Sequence, residues 1–379
     1  MKGIKYIGPI WDFSGYGEAS RNYVLALHRA GVPVTVQPHC FDRNAPPVGS
    51  DSERQTLQSL VEKPIDYDIV IVHLTPDLAP AYVEAHPDKY VISYTVWETS
   101  KLHPYWVGAC NKVREIWVPS QWNIDSFRES GVTVPMFKVP HGIDPGLYNG
   151  IDPELLSSFG SSDTFNFYSV FQWNSRKNPE GLLRAYFNAF QDVGDVKLIL
   201  KTYIGGGVPA HEEVRILREA VSRVKLDMRL PVFPKVSLIT ETLSTEQLRA
   251  LHLFGDAYVA VPYGEGWGLG FMEAGLAGKP VIGTVAGGNL EFMNEENSYL
   301  TRYMESFVGG MGTFNPWYLG DQKWFTPDLI HASSLMRYVY DNREEAKKRG
   351  QLLKERITKE FNWDAVASIM IKRLKEIDV

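Results

Sequence analysis

Two cysteines in 379 residues, Cys40 and Cys110, are too few and too far apart for a disulfide framework or a cysteine zinc site. A reducing, cytoplasmic setting is the expectation. Long apolar runs are missing too: none approaches the ~18 residues a membrane-spanning helix requires. The opening MKGIKYIGPIWDF has no charged segment followed by a long apolar one, so no signal peptide is expected. Contact with the inner face of a membrane is at most peripheral, and the basic run Lys347-Lys348-Arg349 is too short to argue for it. Positive charge is not in excess. A formal net charge of −6 and a pI near 5.9 disfavour a broad nucleic-acid footprint. No GxxxxGK[ST] occurs, which excludes a P-loop.

What is present reads as α/β. The length exceeds one typical core and implies about two domains. Apolar residues make up 44% and charged residues 22%, the balance of a soluble globular chain. Short β-branched runs alternate with helical patterns, as parallel sheets require. Expected strands in the first half are 2–8, 32–38, 67–74, 89–96, 115–120 and 136–141, with a helix over 121–130. In GEASRNYVLALHRAG (17–31), Tyr23, Val24, Leu27 and Ala30 share one helical face and Gly31 supplies the stop. SSFGSSDT (157–164) is polar and small, a linker candidate. Strands are then expected at 165–173, 196–203, 228–234, 256–263 and 279–285, with helices near 179–191, 211–224 and 245–253. Two doubly wound domains follow, 1–160 and 161–360, with a closing helix over 361–377. Residues 301–325, rich in glycine and aromatics, break the alternation and are expected to be an inserted surface loop.

Three turns after expected strands carry candidate chemistry. GEGWGLGFMEAGLAGKP (264–280) holds Glu265 and Glu273, with Gly266, Gly268 and Gly270 between them. The carboxyl ends of parallel strands are where such sheets bind ligands, and a glycine-opened helix start offers N–H groups to hydroxyl or anionic oxygens. The same pattern also serves tight helix–sheet packing with surface glutamates. WDFSGYGEASRN (11–22) places Gly15, Tyr16 and Gly17 at the first helix start. It is not a full GxGxxG, and no acid follows about 20 residues on, which argues against a dehydrogenase. In FQWNSRKNPEG (171–181), Arg176 and Lys177 form a cation pair suited to a diphosphate, although such pairs are commonly just solvated. Asp66-Tyr67-Asp68 starts an expected strand, where solvation accounts for it, and no metal ligands are expected.

These elements, in this order, resemble the family-4 retaining glycosyltransferases of the GT-B fold. GEGWGLGFMEAGLAGKPVIGT resembles the family's E-x7-E block, and SGYGEASRNYVLAL its amino-terminal glycine loop. VPHGIDPGLY resembles an NGVD-type element with His141 in place of asparagine, and FNWDAVA the closing helix. The resemblance implies two Rossmann-like doubly wound domains facing each other across a cleft. The first would take the acceptor, with 361–379 packing back on it; the second would hold a nucleotide-sugar donor. It further implies Arg176 and Lys177 on the donor diphosphate, Glu273 on the ribose and Glu265 on the transferred sugar. Gly266, Trp267, Gly268 and Leu269 would line sugar and phosphate through their backbone. Leu238 and Ile239 would flank the base, and Gly15, Tyr16 and Gly17 would close over the diphosphate.

One departure stands out: YTVWETSKLHPYW (94–106) puts Trp97 and Glu98 where the family often has a histidine. Glu98 would orient the acceptor hydroxyl or stabilise an oxocarbenium-like sugar; capping its own loop is the plainer role. His103 is a looser candidate. The implied activity is transfer of a hexose from a UDP- or GDP-sugar to a carbohydrate or lipid-linked acceptor, retaining, front-face and without metal. The alternatives are a phage-type enzyme acting on a modified nucleic-acid base, disfavoured by the net charge, and a nucleotide-sugar binding protein without turnover.

Overall fold

Alternation of buried β-branched strands with amphipathic helices builds two separate parallel sheets. The computed structural model describes residues 3–41, 49–160, 163–285, 287–311 and 315–378. Parts of the expected linker (161–162) and of the expected insertion (312–314) lie outside the described residues. The chain divides into two units, 1–144 with 360–379, and 145–359.

The first unit carries β1 (Gly3–Gly8), β2 (Val34–Pro38), β3 (Tyr67–His73), β4 (Tyr90–Tyr94), β5 (Glu115–Val118) and β6 (Met136–Lys138), in the order β2-β1-β3-β4-β5-β6. All pairs are parallel. Helix Gly15–Arg29 buries Tyr23, Val24 and Leu27 as its periodicity predicts, but also Leu25 and Ala26, while Ala30 is exposed. Helices pack on it from two sides, Asp51–Leu60 and Trp363–Glu376, the latter with the Trp363 ring edge-on to Tyr23 at 5.3 Å. His141 is buried, shares a 2.9 Å hydrogen bond with the Tyr23 hydroxyl, and is pushed down to about 3 by burial. A Cβ on Gly142 would come within 2.7 Å of the Trp363 ring, so glycine is required there. Ile143 N donates to Phe361 O at 2.8 Å, closing the unit where the returning chain enters it.

The second unit carries β7 (Phe165–Gln172), β8 (Val196–Tyr203), β9 (Lys235–Ile239), β10 (Ala257–Ala260), β11 (Val281–Thr284) and β12 (Tyr299–Thr301), in the order β12-β11-β10-β7-β8-β9. These pairs are parallel as well. The ninth strand corrects the sequence reading. Helix Ala210–Met228 runs to the first residue of the expected strand 228–234, and Arg229 ends it in a left-handed conformation (φ 51°). Pro231 and Pro234 then exclude ladder pairing, and the strand starts at Lys235. Residues 145–160 belong to the second unit, because the helix Pro153–Ser157 packs on Thr245–Phe254; the division falls at 144/145 and not at 160/161. The expected insertion is no structureless loop. It contains an antiparallel hairpin, β13 (Tyr303–Phe307) and β14 (Lys323–Pro327).

The carboxyl-terminal helix is tied to the first sheet by charge. Glu115 is fully buried and accepts hydrogen bonds from Arg373 Nη2 (2.6 Å), Trp117 Nε1 (2.7 Å) and the Tyr90 hydroxyl (3.0 Å). Removing the cation strands a buried carboxylate, which costs about 3 kcal/mol when one end of the pair keeps some solvent. Arg373→Ala is accordingly expected to lower the unfolding free energy read from urea denaturation by that amount, whereas Glu376→Ala, at the exposed end of the same arginine, lowers it by less than about 1 kcal/mol.

Candidate functional site

In each sheet the first strand lies at the topological switch point, where the chain's winding reverses and a crevice opens beyond the carboxyl ends. In the second unit that point lies between β7 and β10. The turn after β7 is set by its asparagines. Asn174 Oδ1 accepts from Lys177 N (3.1 Å), and Asn178, itself left-handed (φ 53°), accepts from Gly181 N (3.1 Å). Pro179 takes the first helical position, where its missing N–H costs nothing. Asn178 Nδ2 also donates to Val261 O (2.9 Å), binding this turn to the end of β10.

The turn after β10 meets it. Arg176 Nη1 donates to Gly264 O (2.7 Å) and lies 3.4 Å from Glu265 Oε2, while Lys177 Nζ lies 2.5 Å from Glu265 Oε1. Glu265 is 7% exposed. Burial alone raises its carboxyl, but Lys177 and Arg176 outweigh it and hold the group below the usual glutamate range. The glutamate is therefore ionised near neutral pH, and its two cations are already matched.

The helix Leu269–Leu276 starts at Gly268 (φ 90°), and no side chain caps it. A Cβ on Gly268 would lie 2.8 Å from the Phe271 ring, so both conformation and space demand glycine. Trp267 is buried, its Nε1 donating to Met272 Sδ (3.2 Å). A hollow of about 300 Å³, counted with the space open to solvent, is lined by Lys177, Glu265, Gly268, Gly270, Tyr258 and Phe171. Glu273 sits farther along the helix, half-buried. Its Oε2 is 3.4 Å from His252 Nε2, and its carbonyl accepts from the Tyr148 hydroxyl (2.7 Å).

The remaining expected residues fall in three places. Leu238 and Ile239 end β9, two strands away from β7 and half-buried. Leu269 opens the glycine-started helix. Gly15, Tyr16, Gly17 and Glu98 belong to the first unit. Ser14 Oγ accepts from Gly17 N (3.1 Å), and a Cβ on Gly17 would meet Asp12 O at 2.2 Å, so that glycine allows the loop to fold on itself. The Tyr16 hydroxyl bonds Thr95 Oγ1 (3.1 Å); burial raises its phenol, as does the nearby Glu98 charge. Glu98 follows β4 in a loop strapped down by Trp97 Nε1 to Lys101 O (2.8 Å) and Asn123 Nδ2 to Trp97 O (2.7 Å). His103 caps the helix Pro104–Cys110 by accepting from Tyr105 N (3.1 Å). Asp68 pairs with Lys89 at 3.5 Å.

Two features escaped the sequence reading. Gly287 and Gly288, after β11, press on the Glu265 turn: a Cβ on either would meet Glu265 O at 2.0 Å or Gly266 O at 1.9 Å. Gly288 N donates to Glu265 O (2.8 Å). The glycine pair in TVAGGNLEF marked a turn, but not what it would touch. His252 carried no signal at all, since its neighbour Glu273 is twenty-one positions away and on another helix.

A carboxyl held below its unfolded value contributes stability that is present above that value and lost as pH falls through the folded one. Glu265→Gln is therefore expected to melt below the parent near neutral pH, with the gap closing as pH drops below the ordinary glutamate value of 4.5. Melting curves of both proteins across that range check this; a gap independent of pH contradicts the assignment of the charge.

No protein-family model matches the chain, and no curated protein matches its sequence. Solved structures match in fold. Over 100% of both chains it is similar to Anabaena HepE in complex with UDP and glucose, at 15% identity and a TM-score of 0.69. Sucrose-phosphate synthase from Thermosynechococcus elongatus matches over 99% of each chain at 15% identity and TM-score 0.72. The OtsA apo structure matches over 100% of both at 13% identity and TM-score 0.70. What the chain shares with them is the GT-B fold, two Rossmann-like α/β units, each built on a six-stranded parallel sheet.

Proposed function

We propose that the protein is a glycosyltransferase that moves a hexose from a nucleotide-sugar donor to a carbohydrate or lipid-linked acceptor, with retention and without metal. The observation that carries this reading is the Arg176–Lys177–Glu265 cluster at the switch point of the second sheet, beside an uncapped, glycine-started helix. HepE, a protein of the same fold, has been seen with UDP-glucose, and that lends the donor chemistry support.

Departure of a nucleoside diphosphate places negative charge on the leaving oxygens. Fixed cations and helix-start N–H groups stabilise that charge without reorganising, which is the largest single source of rate in many enzymes. Glu265 lies against both cations. Arg176 and Lys177 hold the donor diphosphate, and Glu265 beside them accepts hydroxyls of the transferred sugar. Glu273 takes the ribose hydroxyls, with His252 behind it. Leu238 and Ile239 flank the base, and the backbone of Gly266 to Leu269 lines sugar and phosphate. Attack comes from the face the diphosphate leaves, with the departing phosphate taking the acceptor's proton, so no protein nucleophile is required.

A thermal-shift screen of UDP, GDP, ADP and their sugar conjugates tests this. Ligand at about 100 times its Kd raises apparent stability by about 2.7 kcal/mol, and one base is expected to stand out. Lys177→Ala removes a charge-assisted contact and is expected to weaken diphosphate binding by about 2 kcal/mol, roughly thirtyfold. Glu273→Ala is expected to lower donor affinity while leaving the ligand-free melting point within a few degrees of the parent. Parent-like donor binding by both variants contradicts the assignment of the site.

A further inference from the structure

The hairpin β13–β14 lies outside the strand–helix alternation of the second unit, yet it is fastened to the candidate site. Trp324, 5% exposed, stacks face to face on Tyr263, with ring centroids 4.4 Å apart and planes 14° from parallel. Phe325 N donates to Tyr263 O (2.8 Å), and Tyr263 N donates to Arg176 O (2.8 Å). One residue, Tyr263, thus joins the hairpin to the cation turn through its two backbone groups and to Trp324 through its ring. The next two residues are Gly264, whose carbonyl Arg176 holds, and Glu265. Farther along the insertion, Gly310 approaches the cation turn from its other end: a Cβ there would lie 3.4 Å from Ser175 Oγ.

The hairpin itself is well braced. Ser306 Oγ and Thr326 Oγ1 share a 2.6 Å hydrogen bond, Lys323 pairs with Glu305 (3.1 Å), and Tyr303 sits edge-on to Phe325 at 4.8 Å. A braced element stacked on the residue before a short turn transmits its own rigidity to that turn. The cation turn does not depend on it equally, because Asn174 and Asn178 cap that turn from within.

We infer that Trp324 is a positioning residue for the Glu265 turn, and that the hairpin insertion thereby belongs to the sugar-holding half of the site. The inference rests on the donor-site reading above. It makes a distinction a purely structural tryptophan does not make: loss of the stack loosens Glu265, which holds the transferred sugar, and spares the cations that hold the diphosphate.

The experiment compares free nucleoside diphosphate with its glucose conjugate, using whichever of UDP, GDP or ADP the parent binds, by calorimetry on the full chain. Trp324→Leu, which keeps apolar bulk without a ring face, is expected to bind the glucose conjugate about tenfold more weakly while binding the diphosphate as the parent does. Trp324→Phe, which restores a ring, is expected to recover most of that loss. Should Trp324→Leu not fold, Tyr263→Leu breaks the same stack from the other side and gives the same comparison. Equal losses for both ligands, or none for either, overturn the positioning role and leave the donor site standing. A parent that binds none of the three diphosphates overturns the donor site and this inference with it.

Discussion

Glu265 stays ionised inside the second unit because two cations reach it from the neighbouring strand. An uncompensated buried carboxylate costs several kcal/mol, so the pairing is a condition on everything around it. β10 has to lie beside β7, since the acid follows one strand and the cations the other. The cation turn needs Asn174 and Asn178 to hold its shape, and Asn178 must reach the end of β10 to set the two turns level. Residues 287 and 288 must be glycines, because backbone there runs against backbone of the acid's own turn.

The first unit contains a comparable charge with a different meaning. Glu115 is as deeply buried and as fully hydrogen-bonded, and its guanidinium comes from a helix 258 positions away. It sits within a strand, among Trp117, Tyr90 and Arg373, and its effect is to hold the returning chain on the sheet. Glu265 lies beyond a strand's carboxyl end, at the switch point, beside glycines that open a hollow. Burial and pairing alone do not separate a structural carboxylate from a functional one; place in the sheet does.

Much of this was legible beforehand. The E-x7-E block, the Arg-Lys turn and the glycine loop each announce themselves as a strand end followed by a helix start; the alternation gives all six strands of the first sheet but only four of the second, with β9 misplaced and the three-residue β12 unforeseen. The errors have physical reasons. MRLPVFP alternates like a strand, but two prolines forbid the ladder and the preceding helix was longer than its apolar spacing required. The aromatics of 301–325 were assigned to an inserted surface loop; Trp324 is instead buried and matched to Tyr263, some sixty residues earlier. The linker candidate was polar enough, yet the short helix before it packs on the second unit and moves the division to 144/145.

By itself, the sequence determined local conformation: which residues cap, which turn left-handed, which strands lie in parallel, and which turns carry charge. Those properties depend on neighbours a few positions away. Only the tertiary structure decided partners. It set Lys177 and Arg176 against Glu265, His252 behind Glu273, Gly288 on the acid's carbonyl and Trp324 on the residue that leads into it. Such contacts join segments tens of residues apart, and no local preference encodes them. They arise because the sheet order β11-β10-β7 brings three strand ends, and a hairpin inserted later in the chain, to one edge.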